Sequence, residues 1–212
     1  MKGNLVNVKA NSIEEIDLPD RFFNKDVNKH LLYLAVKRHL ANMRRGTADT
    51  QERGDVDFST QKVRPQKGTG RSRQGARTSN IWKGGAVVFG PHPRDFSLKM
   101  NKKERRNAIF SALSSRMKDG DVYIVGDFVA SGKTKDFAET INKISEIYKK
   151  SLGTILFVFS EDNGDVERAS RNLTYCSAIN FKYLNAYALT LFDSVLISKE
   201  ALESLERWWP ND

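Results

Sequence analysis

The hydrophobic pattern of the chain changes twice. Up to about residue 45, and again beyond about residue 100, apolar positions recur at spacings that fit strands and helices. Leu5, Val6 and Val8 predict a short first strand, and Ile13, Ile16 and Leu18 a second extended piece ended by Pro19 and Asp20. From residue 26 to residue 45, Val27, Leu31, Leu34 and Ala35 follow the spacing of one helix face, and Gly46 stands where the left-handed residue after a helix belongs. Arg44 and Arg45 would then lie in the last turn, where cations suit the carbonyl end of the dipole. A second helix is predicted from an N-cap at Asn101 through the stripe Ile109, Phe110, Leu113 and Met117 to Gly120.

Beyond Gly120 the pattern alternates. VYIVG, starting at Val122, reads as a buried strand, and residues 133 to 150 as a helix with Phe137, Ile141, Ile144 and Tyr148 on one face. TILFVFS, from Thr154, is a continuous apolar run of the kind found in a central parallel strand. A short helix over 165 to 173, strands over 178 to 181 and 194 to 197, and a closing helix over 199 to 208 follow. The expected fold class is α/β, with a mainly parallel sheet flanked by helices in Rossmann-like layering. A long extended basic loop is inserted after the first long helix. The domain reading is therefore a globular α/β domain over residues 1–45 and 101–212, interrupted by a loop over 46–100. A chain of 212 residues is long enough to bury such a core.

Within that loop neither the helical nor the strand period is sustained, and so long a stretch inside a compact domain is functional or disordered. Charge separates the two. Between residues 43 and 106 stand 16 Lys or Arg against 6 Asp or Glu, a net +10, whereas the whole chain carries +9. All the positive excess therefore lies in and beside the glycine-rich stretch, which is the footprint of a polyanion binder, nucleic acid being the commonest. Lys62, Arg64, Lys67, Arg71, Arg73 and Arg77 follow one another with no acid among them and with Gly68, Gly70 and Gly75 between. Arginine offers a planar fork to phosphate and a face to bases, and glycine lets the backbone approach a crowded surface. A disordered basic linker is the alternative, but Ile81, Trp82, Val87, Val88 and Phe89 are apolar side chains that a solvated linker does not collect. Either the domain or a partner should cover them. RNA suits an extended arm better than a DNA groove does, since its helices and splayed bases leave room to thread.

The rest of the chemistry is sparse. DFVASGKT, ending at Thr134, has the strand, loop and Gly-Lys-Thr layout of a phosphate-binding loop, which keeps a nucleotide-dependent enzyme using Gly132, Lys133 and Thr134 as an alternative. However, Asp127 occupies the position of the motif's first glycine, where a carboxylate would repel phosphate. An ordinary strand-to-helix connection, with Ser131 or Thr134 near a helix N-cap, is the preferred reading. His30 and His39 fall on opposite helix faces and cannot share a metal, and His92, between two prolines, reads as exposed. Cys176 is the sole cysteine and reads as a small buried residue. No catalytic set, metal site or cofactor is expected.

Taken in order, RRGTADTQERGDVDFSTQKVRPQKGTGRSRQGARTSNIWKGGAVVFGPHPRD followed by KMNKKERRNAIFSAL closely resembles the bacterial large-subunit ribosomal protein four family. That family shows an R-x-G-T-A opening, an RQKGTGRAR-like block, a W-x-G-G exit leading to F-G-P, and an L-x-K-K-x-R-R-x-A helix. The resemblance covers the whole chain in layout and is strongest from residue 44 to residue 113. It implies a structural, non-enzymatic component of the large ribosomal subunit that binds large-subunit ribosomal RNA and supports assembly. Its partners would be that RNA, neighbouring large-subunit proteins, and the nascent peptide near the loop tip. With the charge pattern, it implies RNA contacts at Arg44, Arg45, Arg53, Lys62, Arg64, Lys67, Arg71, Arg73, Arg77, Trp82, Lys83, Arg94, Lys102, Lys103, Arg105 and Arg106. The tip at the exit-tunnel wall would be Gln66, Lys67, Gly68, Thr69, Gly70 and Arg71. Many members read KPWRQKGTG where this chain reads KVRPQKGTG, so Arg64 holds the aromatic position and Pro65 the arginine position. Some relatives also act as free regulators on messenger RNA, a further alternative.

Composition adds a last expectation. The mean hydropathy is −0.54 and the isoelectric point about 9.6. No apolar run approaches the roughly 18 residues of a membrane span, and the first residues show neither a secretory nor an Arg-rich transit pattern. A cytoplasmic, ribosomal location away from membranes is expected.

Overall fold

The computed structural model describes residues 1–7, 10, 12–126, 128, 132–160 and 164–209. The readings at Val8, Asp127 and Ser131 lie outside the described residues. The chain divides into two units, Met1–Leu40 with Lys99–Asp212, and Ala41–Leu98.

The first unit is a mixed α/β fold on a six-stranded sheet. Its strands are β1 (Lys2–Asn7), β2 (Ser12–Asp17), β3 (Val122–Gly126), β4 (Ile155–Phe159), β5 (Cys176–Asn180) and β6 (Ser194–Ser198). The order is β2-β1-β3-β6-β4-β5. All neighbours pair in parallel except the β1–β2 hairpin at one edge. β4 lies between β5 and β6 and is buried along its whole length, as its unbroken apolar run requires.

Strand periodicity sends alternate side chains to two separate apolar clusters. Leu156, Val158, Val195 and Ile197 join residues of helices α1 (Asp20–Phe23), α3 (Lys102–Asp119), α6 (Ala186–Leu191) and α7 (Lys199–Trp208). Ile155, Phe157, Phe159 and Leu196 join Phe137, Ile141 and Ile144 of α4 (Thr134–Tyr148) and Val166 and Ala169 of α5 (Gly164–Ser170). α3 starts as expected: Glu104 accepts from the Asn101 N–H at 3.3 Å, and Gly120 closes the helix at φ +73°. Cys176 is buried in the second cluster, and burial pushes its thiol up to about 12.

The helix expected over residues 26–45 is shorter. α2 spans Lys29–Met43, because the Asn28 side chain accepts from the Leu31 N–H at 3.0 Å and starts the helix there. Arg44 and Arg45 directly follow its last residue instead of lying in its last turn, and Gly46 is not its closing residue. Its inward side is buried Ala35 with half-buried Leu31 and Leu32, set against Ala108 and Ala186, while Leu34 is exposed. Phe181 is not the end of a strand but opens a 3-10 turn, Phe181–Tyr183, where the Asn180 side chain accepts from the Lys182 N–H. α1 and α6 were not anticipated.

Candidate nucleic-acid interface

The second unit contains no helix or strand between residues 44 and 98, yet its two arms are tied together by individual bonds. The Leu98 N–H donates to the Asn42 side chain at 2.8 Å, Arg94 N–H to the Gly46 carbonyl at 3.1 Å, and the Thr50 hydroxyl to the Pro91 carbonyl at 3.3 Å. Further out, Val87 N–H donates to the Gln51 carbonyl at 3.1 Å and Val63 N–H to the Gly75 carbonyl at 3.2 Å. His92 is half-exposed as expected but has partners: its two ring nitrogens stand 3.2 Å from Asp49 and 3.1 Å from Glu52. Val56, Ala76 and Thr78 are buried. The Phe96 ring lies under two guanidinium groups, Arg44 at 3.8 Å and Arg94 at 4.3 Å.

Beyond the Val63–Gly75 bond lies a tip of residues 64–74. It contains Arg64, Lys67, Arg71 and Arg73 and no acid. Lys67, Arg71 and Arg73 are exposed and Arg64 is half-buried. Gly68 and Gly70 turn the chain at φ +83° and +60°, values that favour glycine. Arg53, Lys62, Arg77, Lys83, Arg94 and the pair Arg44 and Arg45 are also exposed in this unit, Arg77 lying 5.9 Å over the Phe58 ring. The apolar return arm is not covered by its own unit. Ile81, Val87, Val88 and Phe89 are exposed, Phe89 fully, and Phe89 holds φ +53°. Trp82 is half-buried, and its Nε1 is buried without a hydrogen-bond partner.

The remaining residues of the expected RNA set fall in the first unit. Lys102, Lys103 and Arg105 are exposed and Arg106 is half-buried in the first turns of α3. They line a cavity of about 640 Å³ together with Arg38, His39, Lys182, Tyr183, Tyr187 and Trp208. Arg38, Lys182, Tyr183 and Trp208 were missed in the sequence, where each looks like an ordinary surface residue. Among the described residues no group of three or more His, Cys, Asp or Glu gathers to hold a metal ion. No helix among them is long and apolar enough to cross a membrane.

The Gly-Lys-Thr connection is an ordinary one in its described part. Lys133 is the N-cap of α4 and Thr134 its first residue. Gly132 holds φ +75°, and the Asp165 carboxylate oxygen lies 3.2 Å from where its Cβ would be. A carboxylate there opposes a phosphate, which is the wrong electrostatics for nucleotide binding.

Comparison with known protein sequences assigns a family. Residues 16–208 match the family described as the Ribosomal protein L4/L1 family. The chain belongs to this family. Among L4/L1 relatives, the large ribosomal subunit protein uL4 of Desulfotalea psychrophila is 36% identical over 204 residues, covering 96% of this chain and 94% of that protein. The uL4 protein of Lachnospira eligens is 37% identical over 201 residues, covering 94% and 95%. That of Cytophaga hutchinsonii is 36% identical over 208 residues, covering 97% and 98%. The matched span, residues 16–208, takes in the glycine-rich segment.

Proposed function

We propose that this L4/L1 family member is a non-catalytic structural component of the large ribosomal subunit that binds large-subunit ribosomal RNA and supports its assembly. Residues 1–45 and 101–212, with Rossmann-like layering of helices on the sheet, serve as a folded anchor. Residues 46–100 serve as the extended RNA-binding loop. Residues 66–71 form its tip at the wall of the nascent-peptide exit tunnel, with neighbouring large-subunit proteins and the nascent chain as further partners. The protein acts in the cytoplasm, on the ribosome.

The observation that carries the reading is the tip beyond the Val63–Gly75 bond: Lys67, Arg71 and Arg73 exposed, with no carboxylate in residues 64–74 to compete for them. Cations so placed can neutralise phosphates that follow one another along an RNA strand, releasing the counterions these had held. If all six basic residues from Lys62 to Arg77 pair with phosphates, log K falls against log salt with a slope of roughly −4 to −5. Replacing Lys67, Arg71 and Arg73 by glutamine in the full chain then weakens binding to large-subunit RNA and makes the slope shallower by about 2 to 3. Unchanged affinity and slope would refute the reading.

A further inference from the structure

We propose that the cavity bounded by α2, the start of α3, the Phe181–Tyr183 turn and the end of α7 receives one unpaired nucleotide of RNA, its base on exposed aromatic faces and its phosphate among cations. This rests on the RNA-binding reading above and gives the first unit a binding site of its own.

Five observations converge. The volume, about 640 Å³, is in the range of small-ligand pockets, roughly 300–1,000 Å³. Arg38, Lys102, Lys103, Arg105, Arg106 and Lys182 contribute to its lining, and no Asp or Glu among the described residues does. Two aromatic side chains at the cavity remain open: Tyr183 is 73% exposed and Trp208 51%. Lys182 Nζ lies 5.1 Å over the Trp208 ring, so a cation is already beside a face on which a base would stack. Finally, Arg38 Nε is buried and has no hydrogen-bond partner in the protein, a state that is costly until an acceptor is supplied.

The chemistry favours an unpaired nucleotide over other anions. Inorganic phosphate or an acidic peptide would use the cations and leave the aromatic faces in water. A paired base cannot leave its stack to enter a concavity without breaking its pair. A splayed base uses both kinds of group, and base-on-aromatic stacking tolerates any base identity. The cations come from three separate stretches of the chain, on α2, on α3 and in the 3-10 turn, so they converge by folding and are not one solvated helix face.

The test uses the full chain and single-stranded oligouridine carrying 4-thiouridine, with a fully paired RNA duplex and an oligoglutamate peptide as comparisons. Tyr183→Ala, at an exposed site, should leave the melting temperature unchanged and weaken oligouridine binding about tenfold. Photocrosslinks should map to peptides containing Tyr183 or Trp208, and should persist when Lys67, Arg71 and Arg73 are replaced by glutamine. Crosslinks confined to residues 62–77, with Tyr183→Ala binding like the unmodified chain, would overturn the cavity proposal while leaving the loop reading intact. Persistent cavity crosslinks with no loss of affinity in the loop variant would support the cavity and count against the loop. Tighter binding of oligoglutamate or duplex than of oligouridine would also overturn it.

Discussion

The backbone N–H of Arg94 donates to the carbonyl of Gly46 at 3.1 Å, joining the outgoing and returning arms of the glycine-rich segment. Gly46 holds φ +65°, and a Cβ on it would stand 2.0 Å from the Arg94 carbonyl oxygen and 2.9 Å from the Phe96 ring. The glycine is therefore required twice, by backbone conformation and by the approach of the other arm. Gly46→Ala forces a left-handed conformation worth about 1–2 kcal/mol on a residue that has no room for its methyl group. The expected result is faster proteolytic cleavage within residues 47–93, with the sheet unit still resistant. Cleavage at the original rate would mean that the bond does not hold the arms.

The Arg116 side chain gathers the carbonyls that end α6. Its Nε donates to Leu189 at 2.8 Å and its terminal nitrogens to Thr190 at 3.1 Å and to Phe192. A short helix leaves such carbonyls without intrahelical donors, and one planar guanidinium serves several at once. Arg116→Ala should destabilise the protein by about 2 kcal/mol, read as a lower urea midpoint with unchanged slope. Arg116→Lys should recover only part of this, because an ammonium on a flexible stem cannot span the same acceptors. Full recovery by lysine would show that charge alone matters.

What could be read before folding divides along the same physical line. β4 and α4 were legible because one carries an unbroken apolar run and the other a clean helical stripe, and both patterns are local. α1 and α6 were not, since helices of four and six residues show no period, and Phe22 and Phe23 are adjacent in sequence. The end of α2 was misplaced because a capping glycine and a close-approach glycine look identical in sequence. The same holds for the basic surfaces. The concentration of cations in residues 62–77 needs only counting. The cavity at α3 depends on Arg38, Lys102 and Trp208 meeting across the fold, and no spacing rule connects them.

Phe89 is the least expected residue of the return arm. A bulky side chain at φ +53° is strained by about 1–2 kcal/mol, and its ring is fully exposed, so nothing within its unit repays the strain. Phe89→Asn, which tolerates the left-handed region, should leave thermal stability unchanged or slightly raised. The same variant should bind large-subunit RNA more weakly by about 1–3 kcal/mol if the ring serves as a stacking surface for a base. A lower melting temperature for Phe89→Asn would show instead that the ring packs within the folded protein.

Asp193 ties the start of β4 to the start of β6. Its carboxylate accepts from the Thr154 backbone N–H and from the Thr154 hydroxyl, each at 2.8 Å. These donors, the backbone one foremost and the hydroxyl next, hold the Asp193 carboxyl below the usual carboxylate range, with a smaller contribution from Arg116. The linkage sign follows. A carboxyl whose pKa is lower folded than unfolded contributes stability above the unfolded value, near pH 4, and that contribution is lost as pH falls through the folded value. Asp193→Ala should therefore melt below the unmodified chain at pH 7, with the same gap down to about pH 5. Below about pH 4 the gap should narrow as the carboxylate of the unmodified chain protonates. Melting curves of the two proteins between pH 7 and pH 3 check this, and a gap that stays constant to pH 3 would mean that the ionised form contributes nothing.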